Sequence, residues 1–233
     1  PYNTFGEDIK MYKSVSLELI MLLAVALAIW TASISIADEI EGKTALMVLS
    51  KPVARWQFIS GKFVGVIIPI TIVFIILGSF FLGAISYKMF YDAKEAAKID
   101  PTNAACYFEM VGMMPGLALT FMQALLLASI AVVISTRLPM IPNLIICVTI
   151  YVLGHMIPMM VNSSMSEVPF VAFVGNLIAT VLPGLYHFNI ETAISTGQWV
   201  PLSYLGTSAV YCLLYFAVMM MLALFLFEDR DLA

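Results

Sequence analysis

Five long apolar runs dominate this chain of 233 residues, and each is long enough to cross a lipid bilayer. At a rise of about 1.5 Å per residue, about 20 residues span a hydrocarbon core about 30 Å thick. The runs are Val15–Ala37, Phe63–Tyr87, Val111–Thr136, Met140–Val161 and Leu202–Phe227. Strands of a membrane barrel would instead show segments of about ten residues in which apolar and polar side chains alternate. The pattern therefore predicts an all-α fold, a polytopic bundle of transmembrane helices.

The composition supports lipid as the solvent for most of the chain. Hydrophobic residues make up 62% and charged residues 11%, whereas a soluble domain carries about 45–50% and about 25%. Because part of any soluble globule must face water, such a fold could not bury this much apolar surface. The net charge of −4 also provides no basic field to attract nucleic acid. No repeat or linker divides the sequence, so we expect one domain over residues 1–233.

The segment Val168–Phe188 is ambiguous because it is uncharged and just long enough to span. It contains Pro169, Asn176 and the pair Pro183–Gly184, which bend helices and leave backbone groups in need of partners. Two interpretations are open, a sixth span or a re-entrant hairpin that returns to the side from which it came.

The distribution of cations distinguishes these interpretations. If the segment re-enters, six cations lie on one face, and all three arginines are among them: Lys43, Lys51, Arg55, Lys62, Arg137 and Arg230. The other five lie opposite: Lys10, Lys13, Lys88, Lys94 and Lys98. We therefore predict five spans plus a re-entrant segment, with the start of the chain outside and its end in the cytoplasm.

The polar connection between the first two runs, Asp38–Lys62, is predicted to be structured rather than a bare loop. Thr44–Leu49 favours a short helix with one apolar face. Pro52 suits the first turn of a second helix, Pro52–Ser60, where its missing N–H costs nothing. This second helix would lie along the membrane surface. Its apolar side chains (Val53, Trp56, Phe58, Ile59) would face headgroups or neighbouring helices, and Arg55 and Gln57 would face outwards.

This connection resembles the permease subunits of type-2 ATP-binding-cassette exporters. Their pattern is a glutamate, Gly-x-Thr, a short apolar helix, a Ser-x-Pro-x-x-Arg turn and a Gly-Lys pair that opens the next span. The matching residues here are Glu39, Gly42, Thr44, Ser50, Pro52, Arg55, Gly61 and Lys62. The layout matches over the whole chain, and the motif is specific over residues 37–62. Because the family has six spans, we expect its first span to precede Pro1.

The resemblance implies that this chain is no enzyme and that ATP and Mg are held by a separate ATPase partner. In the family, the segment that matches Glu41–Trp56 contains the coupling helix, which docks in a cleft on the ATPase. The expected coupling residues are Glu39, Glu41, Thr44, Ser50, Lys51, Pro52, Arg55, Trp56, Gly61 and Lys62. We also expect a second permease copy or homologue, membrane lipid as a partner, and a multi-pass location in a bacterial inner membrane.

A few polar side chains lie in or near the apolar runs, where they are costly and often functional. Those predicted to line a path or to bond between helices are Gln123, Asn143, His155 and Asn176. Glu18 lies near the end of a run and is expected to reach the interface. The run His155–Met160 and the sixteen methionines are attributed to packing rather than to soft-metal binding, and we predict no metal site or catalytic residue.

Two other classes of function stay open alongside the exporter permease. A non-transporting membrane anchor or force-transmitting subunit would keep the same ATPase-docking surface. An intramembrane enzyme would need a catalytic pair within its spans, and the apolar runs contain no aspartate. Gly61–Lys62 does not indicate a phosphate-binding loop, because Trp56 stands where the upstream glycine would be.

Overall fold

The structure is a computed structural model that describes residues 8–41, 55–95, 101–162, 173, 182–190, 193–194 and 198–228. Its long helices are α1 (Asp8–Glu41), α2 (Arg55–Glu95), α3 (Asn103–Ser135), α4 (Met140–Asn162) and α5 (Leu202–Glu228). A short 3₁₀ helix, Leu185–Phe188, precedes α5. In the described ranges five helices are long and apolar enough to cross a membrane, which confirms the predicted all-α bundle.

The helices extend beyond the apolar runs that predict them. Helix α1 begins at Asp8 and helix α2 ends at Glu95, so the polar flanks of both spans are helical. Lysine, glutamate, alanine and methionine in these flanks are good helix formers. Thr102 precedes α3 with an extended backbone (φ −67°, ψ 145°), the conformation of a helix-capping position. The apolar runs therefore locate the spans but underestimate the helices.

The prediction of a separate surface helix at Pro52–Ser60 is wrong for residues 55–60. Helix α2 begins at Arg55 and continues unbroken through Gly61 and Lys62 into the span. A single glycine costs a helix only about 1 kcal/mol, and no proline interrupts α2 before Pro69. Residues 52–54 and the predicted helix at Thr44–Leu49 lie outside the described residues.

Helix α3 is the centre of the bundle, because it contacts each of the other four long helices. In the C-terminal half of α3, every residue from 126 to 133 is buried. Small side chains, among them Ala124, Ala128 and Ala131, let neighbouring backbones approach closely, as is typical of helix contacts in membranes. Helix α5 lies at the periphery, and most of its side chains are at least partly exposed.

Contacts between the helices fix their directions. Lys13, early in α1, pairs with Glu109, early in α3. Asn143, at the start of α4, bonds to Ser33 and Ala131, near the ends of α1 and α3. Helices α1 and α3 therefore run parallel, and α4 runs antiparallel to both.

The two ends of the bundle can now be named. The linker end is where α1 ends and α2 begins, and the short α3–α4 connection at residues 136–139 lies there too. The opposite end, where the chain turns back from α4 to α5, is called the turn end. Trp199 packs against Phe108 of α3, with ring centroids 4.6 Å apart, so α5 begins at the turn end. Helix α4 ends there too, because it is antiparallel to α3.

Helix α4 therefore ends and helix α5 begins at the same end of the bundle, which supports the predicted re-entrant segment over a single crossing. Leu185 in the 3₁₀ helix packs close to Gly154 of α4, and Ile190 packs close to Gly116 of α3. Most of Val168–Phe188, Asn176 included, lies outside the described residues.

Candidate functional site

Some of the predicted coupling residues lie in the helices that meet at the linker end. Glu39 and Glu41 lie in the last turn of α1, and Arg55 begins α2. Helices α1 and α2 pack against each other, so the connection between them starts and finishes close together. The predicted residues within that connection, Thr44, Ser50, Lys51 and Pro52, lie outside the described residues, and so do the side chains of Glu39, Glu41 and Arg55.

In the first turns of α2, one face packs against the bundle and the other is exposed. Phe58 and Ile59 are buried, whereas Trp56 is 57% exposed and Gln57 is exposed. The Lys62 ammonium lies 5.6 Å from the centroid of the Phe58 ring, one turn earlier. A cation–π contact of this kind contributes about 0.5–1 kcal/mol at an exposed site. Phe58, Ile59 and Gln57 face as predicted, while Trp56 stays available at the surface.

Asn143 is a fully bonded cross-link between three helices. Its side-chain nitrogen donates to the Ser33 hydroxyl and to the Ala131 carbonyl, each at 3.0 Å. The Cys147 thiol donates to its oxygen at 3.3 Å. The side chain is wholly buried, so these bonds replace the water that it lacks. These bonds connect α4 to α1 and α3, as expected of a polar residue that bonds between helices.

Gln123 and His155 form a second polar contact, with 3.2 Å between the Gln123 amide nitrogen and His155 Nε2. His155 Nδ1 lies 3.0 Å from the Tyr151 carbonyl oxygen. That oxygen can only accept, so Nδ1 carries the proton and Nε2 accepts from the Gln123 amide. This pattern of donors follows from the orientation of the Gln123 amide, whose nitrogen faces His155. The Gln123 side-chain oxygen is buried and has no hydrogen-bond partner within the described part of the chain.

A cavity of about 190 Å³ adjoins His155 at the level where α1, α3 and α4 meet the 3₁₀ helix. We call it the Glu18 cavity, and its lining is Leu17, Glu18, Met21, Leu22, Thr120, Tyr151, His155, Phe188, Asn189 and Ile190. Glu18 is the one acidic residue in this lining, which contains no lysine or arginine. No sequence pattern indicates this cavity, because Thr120, Phe188 and Asn189 are brought together only by the fold.

A second feature missed at the sequence level lies nearer the turn end. Lys13 is 7% exposed and forms an ion pair with Glu109, which joins α1 to α3. Both residues line a cavity of about 220 Å³ whose other walls include Phe108, Ile190, Trp199 and Val200. Lys13 and Glu109 belong to the polar flanks of two separate runs, and only the packing of α1 against α3 brings them together.

Comparison with protein families gives one match that covers almost the whole chain. The model of the ABC-2 family transporter proteins matches residues 3–232. No curated protein and no solved structure matches the chain. The family match agrees with the resemblance found at residues 37–62 and with the five membrane-crossing helices. The chain therefore belongs to the ABC-2 family of transporter proteins and is a multi-pass membrane permease of an ABC transporter.

Proposed function

We propose that this chain forms half of the membrane path of an ATP-driven exporter and that residues 39–62 dock onto its ATPase. Family membership implies an ABC ATPase partner. The observation that carries the proposal is the packing of α1 and α2, the two helices that flank the connection. Each packs on the central helix α3 as well as on the other. A displacement of the connection would therefore tilt both helices against α3, as in rigid-body switching.

ATP and Mg are assigned to the partner, and this chain is assigned no catalytic role. A phosphate-binding loop places its Gly-Lys pair between a strand and a helix, whereas Gly61 and Lys62 lie inside helix α2. The Lys62 ammonium lies over the Phe58 ring. This position suits a residue at a membrane boundary. We assign the protein to a bacterial inner membrane.

The proposal includes a second permease copy or homologue, because the central helix α3, buried on every side over residues 126–133, occupies the middle of this bundle. The peripheral helix α5 carries exposed apolar side chains along one stripe, among them Val210, Leu214, Val218, Met221 and Phe225. Spacings of three and four residues place such side chains on one face of a helix. We assign this stripe to lipid or to the second half of the transporter.

The test is to purify the permease with its ATPase, to determine the subunit ratio by native mass measurement, and to reconstitute the complex in vesicles. We expect two permease and two ATPase subunits, and solute movement that depends on ATP hydrolysis. A subunit that only anchors or transmits force would bind the ATPase but move no solute from a panel of lipids, peptides and drug-like amines. A functional complex with one permease and no ATPase would contradict the proposal outright.

A further inference from the structure

We propose that the Glu18 cavity binds a small protonated amine that carries an apolar or aromatic body. The proposal names a class of cargo, and to that extent it rests on the proposed exporter function. It arises from four features of the cavity: its size, its charge, its aromatic walls and the hydrogen-bonding character of its polar groups.

The size of the cavity suits one ring with a short side chain. Its volume is about 190 Å³, and an apolar cavity of about 150 Å³ in another protein holds one benzene molecule. Leu17, Met21, Leu22 and Ile190 supply apolar wall on two sides. A bare proton or metal ion would leave this apolar volume unfilled, whereas an aromatic or branched apolar body would occupy it.

The charge in the cavity favours a cation. Glu18 has no ion-pair or hydrogen-bond partner within the ranges that the structure describes. The nearest cation towards the turn end of α1 is Lys13, whose ammonium pairs with Glu109. The lining contains no lysine or arginine, and His155 bonds to the Tyr151 carbonyl oxygen and to the Gln123 amide rather than to Glu18. Glu18 is exposed at the surface of the described residues, within the span Ile9–Ile34. A carboxylate without a partner in a membrane span is costly, so an ammonium in the cavity would neutralise it.

The rest of the lining suits an ammonium group more than an anion or a neutral molecule. The Thr120 hydroxyl donates to the Gly116 carbonyl at 2.9 Å, so its lone pairs remain to accept a hydrogen bond. The rings of Tyr151 and Phe188 line the same space, and aromatic faces attract cations that have left water. An ammonium brings three donors to these acceptors, whereas a carboxylate ligand would be repelled by Glu18.

The experiment uses the permease–ATPase complex in lipid nanodiscs and three probes of matched size, namely 2-phenylethylamine, 2-phenylethanol and 3-phenylpropionate. We expect saturable binding of the amine by calorimetry, about tenfold tighter or more than binding of the alcohol or the anion. Glu18→Gln should remove this preference and Glu18→Asp should keep it. Asp92→Asn is the matched control, because Asp92 pairs with Lys88 on α2 and does not line the cavity.

A gain-of-function variant keeps the proposal testable if Glu18→Gln does not fold. Asn189→Asp places a second carboxylate in the wall and should tighten amine binding several-fold. Equal binding of the three probes, or amine binding that is unchanged in Glu18→Gln and in Asn189→Asp, would overturn the proposal. Amine binding that depends on Glu18 but is not followed by ATP-driven transport would sustain the site and reject the exporter function. Transport of other solutes without amine binding would do the reverse.

Discussion

The side-chain nitrogen of Asn143 donates to both the Ser33 hydroxyl and the Ala131 carbonyl, so one amide joins α1, α3 and α4 close to the linker end. The three helices therefore cannot slide independently there without breaking a buried hydrogen bond. The matching pair towards the turn end, Gln123 and His155, leaves one buried oxygen unpaired. This difference between the two amides leads to the first two predictions.

Asn143 and Ser33 should be energetically coupled. In a double-mutant cycle of Asn143→Ala and Ser33→Ala, we expect a coupling energy of about 0.6 kcal/mol and at most about 1.7 kcal/mol, the range found for hydrogen bonds between membrane helices. The measurement is the free energy of unfolding of the purified permease in mixed micelles. The control cycle pairs Asn143→Ala with Thr149→Ala, whose hydroxyl bonds within its own helix to Ile145. Coupling in both cycles, or in neither, would contradict the assigned contact.

Gln123 should tolerate an apolar replacement better than Asn143 does. Gln123→Met removes a buried oxygen that has no partner among the described residues, and such an oxygen costs about 1–3 kcal/mol. Asn143→Leu breaks three bonds and leaves their partners buried. We expect a higher thermal unfolding midpoint for Gln123→Met than for Asn143→Leu. Equal loss of stability in the two variants would show that the unpaired oxygen is bonded in the protein.

Gly154 is required by the close approach of the 3₁₀ helix to α4. A Cβ atom at this position would lie 2.8 Å from Leu185 side-chain carbons and 3.2 Å from the Pro183 carbonyl oxygen, which cannot rotate away. Gly154→Ala should therefore displace residues 183–188 and reduce the stability of the bundle by about 1–3 kcal/mol. The measurement is thermal unfolding together with thiol labelling of a cysteine introduced at Tyr186.

Gly112→Ala is the control for Gly154→Ala, because a Cβ atom at Gly112 meets nothing within 4 Å. That variant should be neutral or more stable by up to about 1 kcal/mol, since alanine favours the helix. If the two variants behave alike, the 3₁₀ helix does not rest on Gly154.

Lys13 and Glu109 should be exchangeable as a pair but not singly. Lys13 is almost wholly buried and the Glu109 side chain is 41% exposed, so breaking this pair should cost more than a surface pair and less than a fully buried one. We expect about 1–3 kcal/mol of destabilisation for Lys13→Glu or Glu109→Lys alone. The double exchange should recover most of this loss. Failure to recover would indicate that the ammonium has a second role, such as contact with a ligand in the adjacent cavity.

The five spans could be predicted from the sequence because an apolar run of more than twenty residues matches the thickness of the hydrocarbon core. Arginine placement favoured the re-entrant interpretation, and the antiparallel directions of α3 and α4 support it. The surface helix was misplaced because Gly61–Lys62 was taken to open a new span, whereas one glycine costs a helix little and α2 continues through both residues.

The Glu18 cavity was beyond sequence reasoning because its lining comes from four segments that are distant in the chain. Glu18 and Tyr151 meet only because α4 runs antiparallel to α1, and Phe188 joins them only because the chain returns at the turn end. No spacing in the sequence carries this information. The coupling residues are different, since they were identified by a local motif, and their role stays a prediction.

Arg55→Ala and Glu39→Ala should uncouple ATP hydrolysis from transport while the permease still folds in the membrane. Both residues lie at the linker end, where α1 ends and α2 begins. The planar guanidinium of arginine matches carboxylates and phosphates in a way that lysine does not. A role in coupling predicts that Arg55→Lys is also impaired, whereas a role as a lipid anchor predicts that Arg55→Lys behaves as wild type. The measurement is solute transported per ATP hydrolysed in reconstituted vesicles, and Lys94→Ala, at the turn end of α2, is the control. If both alanine variants keep the wild-type ratio of solute transported to ATP hydrolysed, these two residues do not couple the ATPase to transport, and the segment only anchors the chain.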